Sequence, residues 1–190
     1  MLLKALLVLI GTTGFEAAGL ILWVELDARD MAGIGLIILF IGLVLERLVI
    51  SGLPKNLSEW IITISTSWFE YAAWALWFTL IRSKALDPIA VFALVLLPGL
   101  HFQHALISSS KPDLNRTFSD LVQHTGFILF ALIEAIGGAL WLAVLTNPAI
   151  IPIPAHLILI IAITLEHIVQ AFVLDRINNE GKLAQVAKAS

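Results

Sequence analysis

The sequence predicts an all-α membrane protein, with six transmembrane helices built as three repeated helical hairpins in one bundle. Three observations carry this expectation. Hydrophobic residues make up 59% of the 190-residue chain and charged residues only 13%, about half the ~25% of soluble domains. Mean hydropathy is +0.98. Apolar runs of about 20 residues recur along the chain, long enough to cross ~30 Å of hydrocarbon at 1.5 Å per residue.

The runs fall at about residues 3–25, 31–50, 59–82, 87–108, 120–145 and 155–175. Their links carry helix breakers or charge: "LDARD", "SGLPKN", "RSKALDP", "SSSKPDLNR" and "TNPAIIPIPAH". The first run continues past Ile10 to Val24 without a small-residue cleavage site, so it reads as a membrane helix and not as a signal peptide. Hairpins are expected over about residues 1–52, 57–110 and 119–176, followed by a polar tail at 177–190. Lys and Arg set the orientation. One side holds Lys4, Arg47, Lys55, Lys111, Arg116, Arg176, Lys182 and Lys188; the other holds Arg29, Arg82 and Lys84. Both termini are therefore expected in the cytoplasm, with a prokaryotic inner membrane as the expected location.

A net charge of -3 argues against nucleic acid as a partner, because phosphate binding needs clustered Lys and Arg. The absence of cysteine excludes disulfides, thiolate metal sites and thiol redox chemistry.

Self-comparison reveals a repeated pattern. The first helix of each expected pair has Glu, a small residue three positions later and Trp seven positions later: Glu16, Gly19, Trp23; Glu70, Ala73, Trp77; Glu134, Gly137, Trp141. The second helix carries Leu followed by a polar residue at Leu45–Glu46, Leu100–His101 and Leu165–Glu166, and the Glu-to-polar gaps are 30, 31 and 32 residues. Such repeats are common in membrane proteins, with sites at the repeat interface. Positions i, i+3 and i+7 share a helix face. That face also holds Thr12 and Thr13 in the first run, and Thr63, Thr66 and Ser67 in the third; it is too polar for lipid. Small residues one turn from each Glu allow close helix approach.

Six positions are thereby expected to converge: Glu16, Glu46, Glu70, His101, Glu134 and Glu166. Counted from the turn, Glu46 lies about five residues deeper than Glu16, which makes the first hairpin the least level. Arg47, close to a helix end, is expected to snorkel outward. Each charge at bilayer depth costs at least ~2.5 kcal/mol, and like charges repel further. Bound cations or bound protons must compensate.

Metal suits the residue types. Four or more carboxylates and one or two imidazoles projecting into a helical bundle are the ligand set of di-iron and di-manganese carboxylate sites. Expected ligands are Glu16, Glu46, Glu70, His101, His104, Glu134, Glu166 and His167. The Glu-x-x-His motif of those sites does not occur: "ERLV" and "EHIV" have Val in the fourth place. Gln170, Thr66 and Ser67 are expected as hydrogen-bond partners behind the ligands, and Trp74 and Trp77 as walls of a substrate pocket. Trp23 and Trp141 suit an aromatic belt or packing. His124 and His156 fall at helix starts, and Pro98 is expected to kink the fourth run.

The leading expectation is a metal-dependent membrane oxidoreductase holding two iron ions, with manganese or zinc as other candidates. Its substrate would be lipophilic: quinone, acyl lipid, isoprenoid or carotenoid. No nucleotide motif is present, so electrons would come from a donor protein or from the substrate. Two other readings fit the same residues: a proton- or cation-coupled transporter or channel working through Glu16, Glu70 and Glu134, and a non-catalytic subunit of a membrane complex.

Overall fold

The structure, a computed structural model, describes residues 2–84, 86–108 and 126–189, with side chains at 3–84, 86–104 and 128–172. Every regular element among them is helical: α1 (Leu2–Asp27), α2 (Ala32–Ser51), α3 (Leu57–Ser83), α4 (Pro88–Val91), α5 (Leu97–Ser108), α6 (Gly126–Thr146) and α7 (Ala155–Ala189). A π-helical segment, Phe92–Leu96, joins α4 to α5 without a break. Lys111, Arg116 and His124 lie outside the described residues, as do the side chains of Arg176, Lys182 and Lys188. The polar residues past 176 continue α7 as helix to Ala189; that stretch includes three Ala and two Lys, good helix formers, and has no Pro.

Among the described residues, four segments are long and apolar enough to cross a membrane: Leu3–Asp27, Ala32–Ser51, Ile128–Thr146 and Ala155–Phe172. The run Pro88–His104 is apolar but shorter. α3 has the length, 27 residues, but its polar face lowers its hydropathy.

Local chemistry sets the helix ends. Asn56 caps α3 by accepting from the Glu59 amide at 3.0 Å, while the Glu59 carboxylate accepts from the Lys55 amide at 2.7 Å. This reciprocal arrangement satisfies amides that have no intrahelical partner. Asp87 caps α4 through the Ile89 and Ala90 amides at 2.9 and 3.1 Å, with Pro88 in the first turn where its missing N–H is harmless. The expected disturbance at Pro98 takes the form of the π turn just before it, where the Leu97 amide bonds the Phe92 carbonyl five residues back. A π turn inserts one residue and rotates everything after it by about 100° relative to a straight helix.

Consecutive helices pack on one another: α1 on α2, α2 on α3, α3 on α5, α5 on α6 and α6 on α7. α7 then returns to α1, closing a ring. Small residues bring the pairs together. A Cβ added at Gly42 would lie 2.7 Å from the Phe15 carbonyl and 3.2 Å from Gly19 Cα. One added at Gly99 would lie 2.6 Å from Ala73 Cβ, and Gly137 abuts Ala162 in the same way. The core is apolar around Leu20, Leu39, Trp74, Leu96 and Ile163. The outside is apolar too, with Leu3, Ile37, Trp68, Leu94 and Phe172 largely exposed.

Gly42→Ala is therefore expected to destabilise the protein by about 2 kcal/mol, because a methyl against backbone forces α1 and α2 apart. Gly14→Ala, whose added methyl meets nothing within 4 Å, should leave unfolding in mixed micelles unchanged or slightly delayed.

Candidate metal centre

The ring encloses one polar cluster. Glu16 on α1, Glu46 and Arg47 on α2, Glu70 on α3, Gln103 and His104 on α5, Glu134 on α6, and Glu166, His167 and Gln170 on α7 are all buried. Glu16, Glu70 and Glu134 each stand three residues before the small residue at a close helix contact; Glu46, Gln103 and Glu166 each stand four after its partner. Close backbone approach thus sets where the carboxylates meet.

Two imidazoles tie the cluster together. His167 Nε2 lies 3.2 Å from Glu46 Oε1, 3.6 Å from Glu16 Oε2 and 3.7 Å from Glu166 Oε2. His104 Nε2 lies 3.2 Å from Glu134 Oε2 and 3.7 Å from Glu166 Oε1. Each ring is held from behind at Nδ1, by Thr13 Oγ1 at 3.4 Å for His167 and by the Gln170 amide at 3.2 Å for His104. That is how ligating histidines are oriented: one nitrogen is fixed so that the other faces the site. Trp74 Nε1 donates to Glu134 Oε1 at 3.0 Å, and Gln103 Nε2 donates to Glu70 Oε2 at 2.7 Å.

Arg47 corrects an expectation. Its guanidinium points inward, donating to Glu70 Oε2 at 2.5 Å with Glu46 Oε1 at 3.5 Å. Two carboxylates attract it more strongly than the nearby helix end. Even so, five carboxylates face one guanidinium, leaving four formal negative charges, the charge of two divalent cations. Glu16 Oε1, Glu46 Oε2 and Glu166 Oε1 are buried with no hydrogen-bond partner among the described residues. Buried polar atoms without partners are rare, and a bound cation, proton or water would satisfy these.

The geometry suits metal ions. Glu16, Glu46 and His167 each offer one atom within 4.8 Å of the others, and so do Glu16, Glu70 and Glu134. Ligands on opposite sides of one ion, at bonds of ~2.1 Å, are ~4.2 Å apart, so small side-chain movements would close either group on an ion. Glu16 belongs to both groups. The residue whose hairpin looked least level is the shared one. Glu46 is level with it, because Gly42 and Gly19 set the register of α1 against α2 and the turn between them does not.

His101 lies outside both ligand groups. It is half-buried beside Phe69, Pro98 and Phe102 and makes no hydrogen bond or ion pair among the described residues. Gln103 and His104 are the α5 residues that bond the carboxylates. The signal was in the sequence: "GLVLER" (42–47), "GLHFQH" (99–104) and "AITLEH" (162–167) align without gaps, with Gln103 opposite Glu46 and Glu166. The Leu–polar pair "LH" sets the register two residues too early.

Other expected residues divide. Gln170 is in the cluster, whereas Thr66 bonds carbonyls of its own helix and Ser67 bonds Thr63 O and Leu43 O, away from the carboxylates. Trp74 and Trp77 are fully buried, edge to face with centroids 5.6 Å apart. Trp74 bonds the cluster, and Trp77 forms part of the wall of a cavity of about 810 Å³. Trp23 is buried against Phe78, and Trp141 donates to His156 Nδ1 at 3.2 Å, remote from the carboxylates.

No protein-family model, curated protein or solved structure matches this chain.

Arg47→Met, which strips two buried carboxylates of their counter-charge, should destabilise the protein by about 3 kcal/mol. Arg82→Met removes an exposed ion pair with Asp27 and should cost less than ~1 kcal/mol in the same unfolding measurement.

Proposed function

We propose that the chain is a six-span membrane protein whose buried cluster holds two divalent metal ions, iron in the first instance, and that it is an oxidoreductase acting on a lipophilic substrate. The observation that carries this reading is Glu16, common to two buried ligand groups that end in unpartnered carboxylate oxygens. A carboxylate shared by two ions is the arrangement that a dinuclear carboxylate centre requires. Under this reading Glu46 and His167 hold one ion, Glu70 and Glu134 the other, and His104 and Glu166 complete the set. Two iron ions would supply paired one-electron steps and an open coordination position. The protein holds the imidazoles by Thr13 and Gln170, neutralises surplus charge with Arg47, and keeps water away with Trp74, Leu20 and Leu43.

Six spans fit the faces of α3 and α5. α3 turns Thr63, Ser67 and Glu70 inward and Trp60, Ile61, Ile64, Trp68 and Leu76 outward. A helix with its polar residues inside a ring and its apolar residues outside suits lipid, although its mean hydropathy is modest. The helical run from Pro88 to Ser108 exposes Ile89 and Leu94 and, at 1.5 Å per residue, reaches ~30 Å. The Lys and Arg asymmetry then favours cytoplasmic termini.

Elemental analysis of the protein purified without chelator should find about two iron per chain, the stoichiometry of the sites in this class. Glu16→Ala should lose both ions, and His104→Ala or His167→Ala should lower occupancy, whereas His101→Ala should match the wild type. A folded wild-type preparation without metal would overturn the reading and favour proton coupling through the same carboxylates.

A further inference from the structure

We propose that the cavity between α1, α2 and α7 binds a long-chain fatty acid as its carboxylate. Its head would sit at Lys4 and its mid-chain methylenes against the His167 end of the cluster. The cavity has a volume of about 430 Å³, within the usual range for small-molecule sites. Ala5, Val8, Leu9 and Ile50 form apolar sides, and Thr12, His167 and Gln170 close the inner end. This end is the cluster itself, since His167 Nε2 is 3.2 Å from Glu46 and Gln170 holds His104. The larger cavity at Trp77 and the one at His101 touch none of the five carboxylates or the two clustered imidazoles.

Charge decides which way the ligand lies. Among the described residues, Lys4 is the one Lys, Arg, Asp or Glu on the wall. An acid head placed at the inner end would face Glu16, Glu46 and Glu166; placed at Lys4 it meets an ammonium group. Lys4, Ala5, Val8, Leu9 and Thr12 follow one face of α1. From Lys4 to Thr12 the helix rises ~12 Å, so the part of an acyl chain that reaches His167 is its middle. The proposal rests on the metal reading for its chemical purpose, because the ions would lie on the far side of His167. Occupancy of the cavity does not depend on them.

The test is photolabelling of the full chain in nanodiscs with palmitate carrying a mid-chain diazirine, followed by peptide mapping and metal analysis of the same samples. Labelling is expected on α1 at Val8 or Leu9 and is expected to be displaced by excess palmitate. Lys4→Glu should reduce it about fivefold, the scale of one exposed ion pair lost. Ala5→Trp, at an exposed position, and Val8→Trp should block it. Labelling that palmitate does not displace, that persists in Lys4→Glu and Ala5→Trp, or that hexadecylamine displaces better than palmitate would overturn the proposal. Displaceable labelling without metal would overturn the dinuclear reading alone; bound metal without such labelling would overturn the cavity alone.

Discussion

Five carboxylates inside a ring of apolar helices are the constraint to which the rest of this structure answers. In a low-dielectric interior, like charges at these separations repel strongly, and no water is at hand to screen them. Each neighbour of the cluster is a response. Arg47 turns away from the helix end that would have let it reach water. Trp74 and Gln103 spend their N–H groups on single carboxylate oxygens. Glu16, Glu46 and Glu166 still keep an oxygen without a hydrogen bond, so the protein groups alone do not complete the site. The small residues belong to the same account. Gly19 against Gly42, Ala73 against Gly99 and Gly137 against Ala162 bring the backbones close enough for short side chains to meet in the middle.

The three similar stretches of sequence differ in ways that fit one another. Leu20, Trp74 and Gly138 each follow the first-helix Glu by four residues. The indole of Trp74 fills the space over Gly138, where any side chain would collide with it. That placement lets its N–H reach Glu134 across the ring. Arg47, His104 and His167 are equivalent in the second helices, as are Glu46, Gln103 and Glu166. A threefold ring would present three acidic pairs and three identical bases. Here an amide stands where the other two stretches have a carboxylate, and a guanidinium where the other two have an imidazole.

Much of the site was legible in the sequence because glutamate in an apolar run has few explanations and a repeated spacing has fewer. The five glutamates follow from that logic, and His104, His167 and Gln170 from their helical spacing to other polar residues. His101 falls outside both ligand groups, and the reason is physical. A Leu–polar pair is two residues long, too short to fix a register, whereas the small residue four positions before the polar one marks the helix contact itself. The π turn at Phe92–Leu96 adds its rotation just upstream, and no hydrophobic periodicity reports a π turn. Arg47 was misplaced for a different reason. Distance to a helix end decides the fate of a lone basic residue in lipid, but two carboxylates within reach outweigh it. Among the described residues four helices are long and apolar enough to cross a membrane; α3, which the sequence also reads as a span, is less apolar because its inward face is polar.

Asymmetry gives the cluster two different sides. On one, Arg47 and Gln103 both bond Glu70 Oε2, fixing that carboxylate, and Trp74 closes the neighbouring space over Glu134. The guanidinium there supplies a positive charge that cannot dissociate. On the other, His167 and Gln170 stand between the carboxylates and an apolar cavity that runs toward Lys4. A ring with three equivalent copies would open equally in three directions, or in none. Arg47 and Trp74 fill part of the perimeter. Among the described residues, the cavity toward Lys4 lies beside His167, whose Nε2 is 3.6 Å from Glu16, the carboxylate common to both ligand groups. Under the proposed dinuclear reading, the cavity and the carboxylate common to both groups fall on the same side, which is where a reacting molecule would have to arrive for both ions to act on it.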